Sequence, residues 1–200
     1  IFGFEVLSRW HHPELGQIPP IDFIATAEKI GMIKPLTEWV IRTACSQLVA
    51  WKKDGFHTLR MAVNISPSLF LDKEFASLIK RILEEVGIVP AELELEVTES
   101  VVQTDPRNLS IFQNLKDLGV LLAIDDFGTG YSSFASLKHL KVDYLKIDKY
   151  FVDGMLVDKQ ALTLISSMIE MGHKLGYGII AEGVEKSEQL NILRDLGCEK

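Results

Sequence analysis

The sequence predicts an α/β fold with a largely parallel sheet, either open and doubly wound or closed into a barrel. Three observations carry that expectation: a recurring helix, glycine, strand phrase; strand and helix patterns that alternate along the chain; and polar residues at the ends of apolar runs. The phrase stands as Glu85-Val86-Gly87 before residues 93–100, as Asp117-Leu118-Gly119 before 121–126, and as Lys174-Leu175-Gly176 before 178–183. Glycine suits the left-handed position that closes a helix, and the aliphatic runs that follow suit a buried strand.

In order, the predicted elements begin with a strand at 2–9, helices at 20–31 and 37–53, and a strand at 60–66. A helix at 73–86 leads to a strand at 93–100, and a helix at 106–118 to a strand at 121–127. A helix at 131–140, opened by Ser132 or Ser133, precedes a strand at 144–150. The helix at 157–175 carries an apolar face of Leu162, Ile165, Ile169 and Leu175, with Met155, Met168 and Met171 on or near it as core packing. A strand at 178–184 and a helix at 186–196 complete the series. A closed barrel needs eight strands and six are visible. Residues 1–9 start inside a strand pattern without an initiator Met, and Arg194-Asp195-Leu196-Gly197 repeats the helix-closing phrase just before Lys200. The expectation is a piece of a longer protein, truncated at both ends, with a strand before Ile1 and at least one after Lys200.

With 200 residues, 47% of them hydrophobic and 24% charged, the chain has an ordinary globular composition. No linker, low-complexity tract or charge run divides it, so residues 1–200 are expected to form a single domain. A domain of this size buries roughly 70% of the surface its unfolded chain exposes, which makes staples unnecessary. Cys45 and Cys198 are too few to form a disulfide framework and suit a reducing compartment. No run approaches the roughly 20 apolar residues that span a bilayer. With 28 acidic and 21 basic side chains, a net charge of −7 and no Lys/Arg block, a grip on duplex nucleic acid through phosphate neutralisation is excluded. An anionic ligand would have to be held by something other than net protein charge.

Near the C-terminal ends of the predicted strands stand Glu5, Asn64, Glu96 with Glu99, Asp125 with Asp126, Lys146 with Asp148, and Glu182 with Glu185. Burying such groups without partners costs several kcal/mol each, so stability alone does not call for them. Successive spacings of 32 residues (64 to 96), 29 (96 to 125), 21 (125 to 146) and 36 (146 to 182) each approximate one strand-plus-helix unit. Side chains so placed are expected to converge at one end of a parallel sheet, where α/β barrels build their sites. Converging carboxylates repel unless cations neutralise them, and an all-oxygen set without Cys or His suits Mg²⁺ or Mn²⁺. Adjacent aspartates can bridge a pair of ions, and a two-metal centre activates water and clamps a phosphoester.

Each member also has a plainer explanation. Glu5 alone reads as an exposed or paired strand residue, Asn64-Ile65-Ser66-Pro67 as a turn, and Asp-Asp before Phe-Gly as another turn signal. The segment Asp126-Phe127-Gly128-Thr129-Gly130-Tyr131-Ser132-Ser133 is either a moving lid or a tight capped turn. Lys146 shares a strand face with Asp148, so a salt bridge between them is the structural alternative to a role with a nucleophilic water. His11, His12, His57, His139 and His173 lack ligand spacing and read as structural or solvent-facing.

Taken together, Glu5-Val6-Leu7-Ser8-Arg9-Trp10, Gly16-Gln17-Ile18-Pro19-Pro20 with Phe23-Ile24, and Val63-Asn64-Ile65-Ser66 form the first part of an ordered motif series. Glu96-Val97-Thr98-Glu99-Ser100, the Asp125 to Tyr131 segment, Leu145-Lys146-Ile147-Asp148 and Ala181-Glu182-Gly183-Val184-Glu185 continue it. The sequence resembles the EAL domain family of cyclic di-GMP phosphodiesterases over essentially its whole length. The resemblance implies a modified TIM-like (β/α)8 barrel with one antiparallel strand, and hydrolysis of cyclic di-GMP to linear pGpG with two Mg²⁺ or Mn²⁺ ions. It also implies roles. Glu5, Asn64, Glu96 and Asp125 would bind the first metal, and Asp125 and Asp126 would contribute to the second. Lys146 would hold or deprotonate the attacking water, and Glu182 would bind metal or its water. Asp148 and Glu185 would support these groups. Glu99 would anchor the loop after Asp126, Leu7 and Arg9 would contact the dinucleotide, and Asp126 would lie against it. Val6 stands where the family has Ala, with its side chain expected to point away from that of Glu5.

A catalytically inactive cyclic di-GMP receptor module is the alternative, although no metal ligand or catalytic lysine is missing; a protein-recognition scaffold is the third reading. The resemblance further implies a cytoplasmic domain of a bacterial parent protein carrying GGDEF-type or sensory domains, with any membrane attachment through other segments. A homodimer through the loop after Asp126 and its adjacent helix is expected on the same ground.

Overall fold

A computed structural model describes residues 1–99, 101, 108–130 and 140–200. The chain divides into two compact units, Ile1–Glu96 with Gln113–Leu121, and Val97–Phe112 with Leu122–Lys200.

In the first unit, β1 (Gly3–Val6) pairs in parallel with β4 (Arg60–Asn64), which pairs in parallel with β5 (Leu93–Thr98). Between β1 and β4 the chain forms a hairpin of β2 (Trp10–His12) and β3 (Gly16–Ile18), then α1 (Pro20–Lys29) and α2 (Ile33–Lys53). A 3₁₀ turn at Pro67–Leu71 and α3 (Phe75–Val86) connect β4 to β5. The core packs α2 against α3 and β4, with Ile41, Leu48, Phe75, Ile79, Ile82, Leu93 and Leu95 buried. Each such side chain contributes about 1.5–3 kcal/mol by leaving water.

In the second unit, β6 (Leu121–Phe127), β7 (Tyr144–Ile147) and β8 (Gly178–Ala181) pair in parallel. The helix α4 (Asn108–Leu118), whose residues from Gln113 onward belong to the first unit, precedes β6. Between β7 and β8 lie a short helix α5 (Lys149–Gly154) and the longer α6 (Lys159–Leu175), and α7 (Ser187–Asp195) follows β8. Ile165 and Ile169 of α6 and Leu145, Ile147 and Ile179 of the strands are buried, where α6 packs on β7 and β8. No helix among the described residues is long and apolar enough to cross a membrane.

The glycine phrase works as expected: Gly87 and Gly176 close α3 and α6 with φ of 79° and 85°. Differences from expectation have local causes. The helix α2 begins at Ile33 rather than 37 because Pro35 falls in its first turn, where the missing N–H would have had no helical partner. The strand expected at 144–150 stops at Ile147 because Asp148 turns the chain into α5, its Oδ1 accepting the Tyr150 N–H at 2.8 Å. The strand expected at 2–9 ends at Val6, and His11 and His12, expected to be structural or solvent-facing, pair in the hairpin. His12 Nδ1 accepts the N–H groups of Glu14 and Leu15 and closes that turn. The antiparallel pairing found among the described residues is this hairpin. Most of the helix expected at 131–140, residues 131–139 with His139, lies outside the described residues, as do Ser100 and residues 106–107.

Both cysteines are free thiols. Cys45 is fully buried on α2 and desolvation pushes its pKa up to about 11; burial raises that of Cys198 as well. Since the thiolate is the reacting species, at pH 8 only about a thousandth of Cys45 would be reactive. A thiol reagent at pH 8 should leave Cys45 unlabelled in the folded protein and label it fully after unfolding in guanidinium, as mass spectrometry would record.

Candidate active site

Parallel strands end on the same side, so polar residues near the C-terminal ends of neighbouring strands are brought together. In the first unit this brings Glu5, Asn64 and Glu96 together. Asn64 Nδ2 donates to Glu5 Oε1 at 2.7 Å, and Asn64 stands in register with Glu96. Glu96 is 1% exposed, a carboxylate set among apolar strand residues. The next N–H, that of Ile65, donates to the Glu96 carbonyl at 2.8 Å and keeps β4 and β5 aligned to their ends. Leu7 and Arg9 follow β1 on exposed backbone, and the Arg9 guanidinium donates to the Ser8 carbonyl. Val6 is half-buried and in register with Val63.

In the second unit a defect in the sheet makes the site. Between β6 and β7 the register passes from Ile124 opposite Leu145 to Phe127 opposite Ile147, leaving one extra residue on β6. This is a bulge at Asp125-Asp126, and Asp126 carries a φ of 54°, the left-handed region that a short polar side chain tolerates best after glycine. Neighbours on a regular strand point to opposite faces. The bulge removes that alternation, and carboxylate oxygens of Asp125, Asp126 and Glu182 all come within 4.8 Å of one another.

Lys146 completes this cluster. Its Nζ lies 2.6 Å from Glu182 Oε1 and 3.2 Å from Asp125 Oδ1, and the residue is 4% exposed. The salt bridge with Asp148 considered from the sequence gives way to these two pairs, because Asp148 is taken up as the cap of α5. Asp148 also faces Asp126. Desolvation, the negative charges of Asp125 and Asp148 and a hydrogen bond with Asp148 together raise the Asp126 pKa, against the lowering influence of Lys146. Such crowding of carboxylates around one ammonium is the electrostatic condition under which a divalent cation is attracted. The donor set, carboxylate oxygens alone, fits a hard divalent ion.

The loop after Asp126 is pinned from two sides. Glu99, 4% exposed, accepts the N–H groups of Gly128 and Gly130 on Oε2 at 3.0 and 3.2 Å. On the other side Met168 and Phe151 press on Gly128, where an added Cβ would sit 2.4 Å from Met168 Cε. Met168 and Met171, read as core, line a cavity of about 400 Å³ with Phe127 and Leu164. Tyr131, Ser132 and Ser133 lie outside the described residues. Glu185 is not part of the carboxylate cluster: it is exposed and pairs with Lys149, which holds its pKa low. Sequence reasoning missed the bulge, for which the adjacent aspartates before Phe-Gly were the available signal, and it missed Gln189, a buried polar residue.

A family model described as the EAL domain matches residues 1–200. The chain is 39% identical over 200 residues to the cyclic di-GMP phosphodiesterase NbdA of Pseudomonas aeruginosa, covering 100% of this chain and 26% of NbdA. It is 37% identical over 188 residues to the cyclic di-GMP phosphodiesterase PdeR of Escherichia coli, covering 94% of this chain and 28% of PdeR. The solved structure of the PaMucR phosphodiesterase in its c-di-GMP complex superposes with a TM-score of 0.92 at 39% identity, over 99% of this chain and 81% of that one. The chain spans about a quarter of the length of the curated relatives it matches.

Each charge-assisted bond that Glu99 accepts contributes about 1.5–3 kcal/mol. Glu99→Ala should therefore speed amide hydrogen exchange at Gly128 and Gly130 by at least about tenfold while leaving the β7 amides protected, as NMR exchange rates would show.

Proposed function

Because the chain belongs to the EAL domain family, we propose that it hydrolyses one phosphodiester of cyclic di-GMP to give linear pGpG, with Mg²⁺ or Mn²⁺, two per site. The observation that carries this reading is the buried Lys146 ammonium held by Asp125 and Glu182 next to a third carboxylate, Asp126. That arrangement suits water-dependent phosphoester cleavage better than simple nucleotide storage. Similarity to phosphodiesterases named for cyclic di-GMP supports the substrate.

Following the resemblance, Glu5, Asn64, Glu96 and Asp125 are assigned as ligands of one ion, Asp125 and Asp126 of a second, and Glu182 to metal or its water. Bound divalent ions supply Lewis acidity toward phosphoryl oxygens and a water that ionises near neutral pH. The protein's own groups do the rest. Lys146 holds or deprotonates the attacking water, and its two carboxylate partners fix where its Nζ points. Glu99 holds the backbone that follows Asp126, so that carboxylate keeps its left-handed setting. Arg9 takes a phosphate and Leu7 contacts the dinucleotide, both standing exposed after β1. Asp148 steadies Asp126, and Glu185 acts through Lys149. A protein of net charge −7 thus binds an anion through cations it recruits.

Residues 1–200 act in this reading as one phosphodiesterase domain in the cytoplasm, within a parent that carries further domains such as GGDEF-type or sensory modules. The domain forms a homodimer through the loop after Asp126 and the helix expected at 131–140.

With the parent protein, pGpG should appear from cyclic di-GMP in Mg²⁺ or Mn²⁺ and cease in EDTA. Glu5→Ala should abolish turnover, and Lys146→Ala should lower kcat by about 10²–10⁴-fold, the scale of a lost proton-handling group. A folded protein that binds the dinucleotide and leaves it intact in both metals is a receptor, and the phosphodiesterase reading is then withdrawn.

A further inference from the structure

We propose that Gln189 and Lys149 are positioning residues that clamp the loop between Glu182 and Lys186, and so set the Glu182 carboxylate against the Lys146 ammonium. The proposal rests on the phosphodiesterase reading, in which Glu182 acts on metal or its water.

Gln189 is 2% exposed, and its amide makes three hydrogen bonds to two separate elements. The N–H groups of Glu185 and Lys186 donate to Oε1 at 3.0 and 2.8 Å, and Nε2 donates to the Val152 carbonyl of α5 at 3.0 Å. A glutamine in the third position of a helix commonly reaches back to the capping N–H, which would account for the Lys186 bond alone. It does not account for the bond to α5. A buried amide that ties a loop to another helix fixes their separation, because releasing the bond to Val152 strands a buried N–H and a buried carbonyl.

Lys149 holds the same loop from the opposite end. Its stem lies across Gly183, where a Cβ would meet Lys149 Cγ at 2.4 Å and Cδ at 2.6 Å; Gly183, at a φ of 67°, is the residue next to Glu182. The ammonium then reaches Glu185, and that carboxylate, with Asp153, raises the Lys149 pKa. Both charged groups are largely exposed, so the ion pair adds little by itself. The packing of the stem on the glycine is the tighter constraint. Lys149 is the first residue of α5, directly after the Asp148 cap. Glu182 is thereby held three ways: its N–H donates to the Ile147 carbonyl at 3.0 Å, Lys149 covers its neighbour, and Gln189 ties down the loop beyond.

The test compares Gln189→Leu, Lys149→Ala, Lys149→Met and Lys149→Arg in the parent protein. Gln189→Leu and Lys149→Ala should lower kcat by about tenfold or more while KM for cyclic di-GMP stays within about threefold, since small misplacements of a reacting group cost rate rather than binding. Lys149→Arg keeps stem and charge and should retain most of the activity, whereas Lys149→Met keeps the stem but loses the Glu185 pair and should fall between Lys149→Ala and wild type. Exchange of the Glu182 amide should quicken in Gln189→Leu, with the β6 and β7 amides unchanged. Unaltered kcat together with an unaltered Glu182 amide overturns the clamp, and so does an activity loss matched by uniform loosening of β6 and β7. If the wild-type protein binds but does not cleave cyclic di-GMP, the phosphodiesterase reading fails, and the Glu182 amide exchange alone decides whether the clamp exists.

Discussion

A lysine ammonium buried to 4% exposure is unfavourable unless carboxylates surround it, and most of the polar architecture of the second unit follows from that requirement at Lys146. Asp125 and Glu182 meet the ammonium directly. Their presence brings a local excess of carboxylates, since Asp126 and Asp148 lie beside them, and desolvation with the charges of Asp125 and Asp148 raises the Asp126 pKa. Among the described residues, Lys146 is the cation seen to pair with this cluster of acids. A cluster of that charge attracts a divalent ion, so the electrostatics of folding and of the proposed chemistry are one problem.

The backbone around the cluster is arranged to hold such a charge pattern in place. Asp126 sits in a left-handed conformation at a bulge, a state that costs of order 1–3 kcal/mol and persists only when surrounding contacts impose it. The contacts are those of the Glu99 carboxylate on the N–H groups of Gly128 and Gly130, opposed by Met168 and Phe151 across Gly128. On the neighbouring strands, the chain turns immediately after β7 through the Asp148 cap and after β8 through Gly183. Asp125, Asp126, Asp148 and Glu182 sit where regular structure is interrupted, at the bulge or just past a strand end, while Lys146 lies within β7.

Much of this was legible in the residues. The six strands lie where the apolar runs placed them, because a buried parallel strand needs a short unbroken aliphatic run and little else resembles one. The glycines closing α3 and α6 were equally plain, since left-handed backbone selects for glycine. Less legible were features that depend on which partner wins a side chain. Asp148 could pair with Lys146 by strand spacing, yet the open N–H of Tyr150 claims it. The short hairpin escaped notice because three-residue strands carry no usable period, and Glu185 looked like its neighbour Glu182 although it turns to Lys149.

By itself the sequence determined the α/β class, the order of elements and the identity of the chemical groups, because periodicity, glycine placement and residue type are local properties that each position carries with it. Tertiary structure alone decided which of those groups meet. Asp125 and Asp126 reach the same cluster only because β6 gains a residue against β7. Gln189 became a buried link to α5 only once a helix 37 residues earlier in the chain came within reach of its amide. Pairing of that kind depends on distances through space, and no local pattern in the chain encodes a distance between residues that folding has yet to bring together.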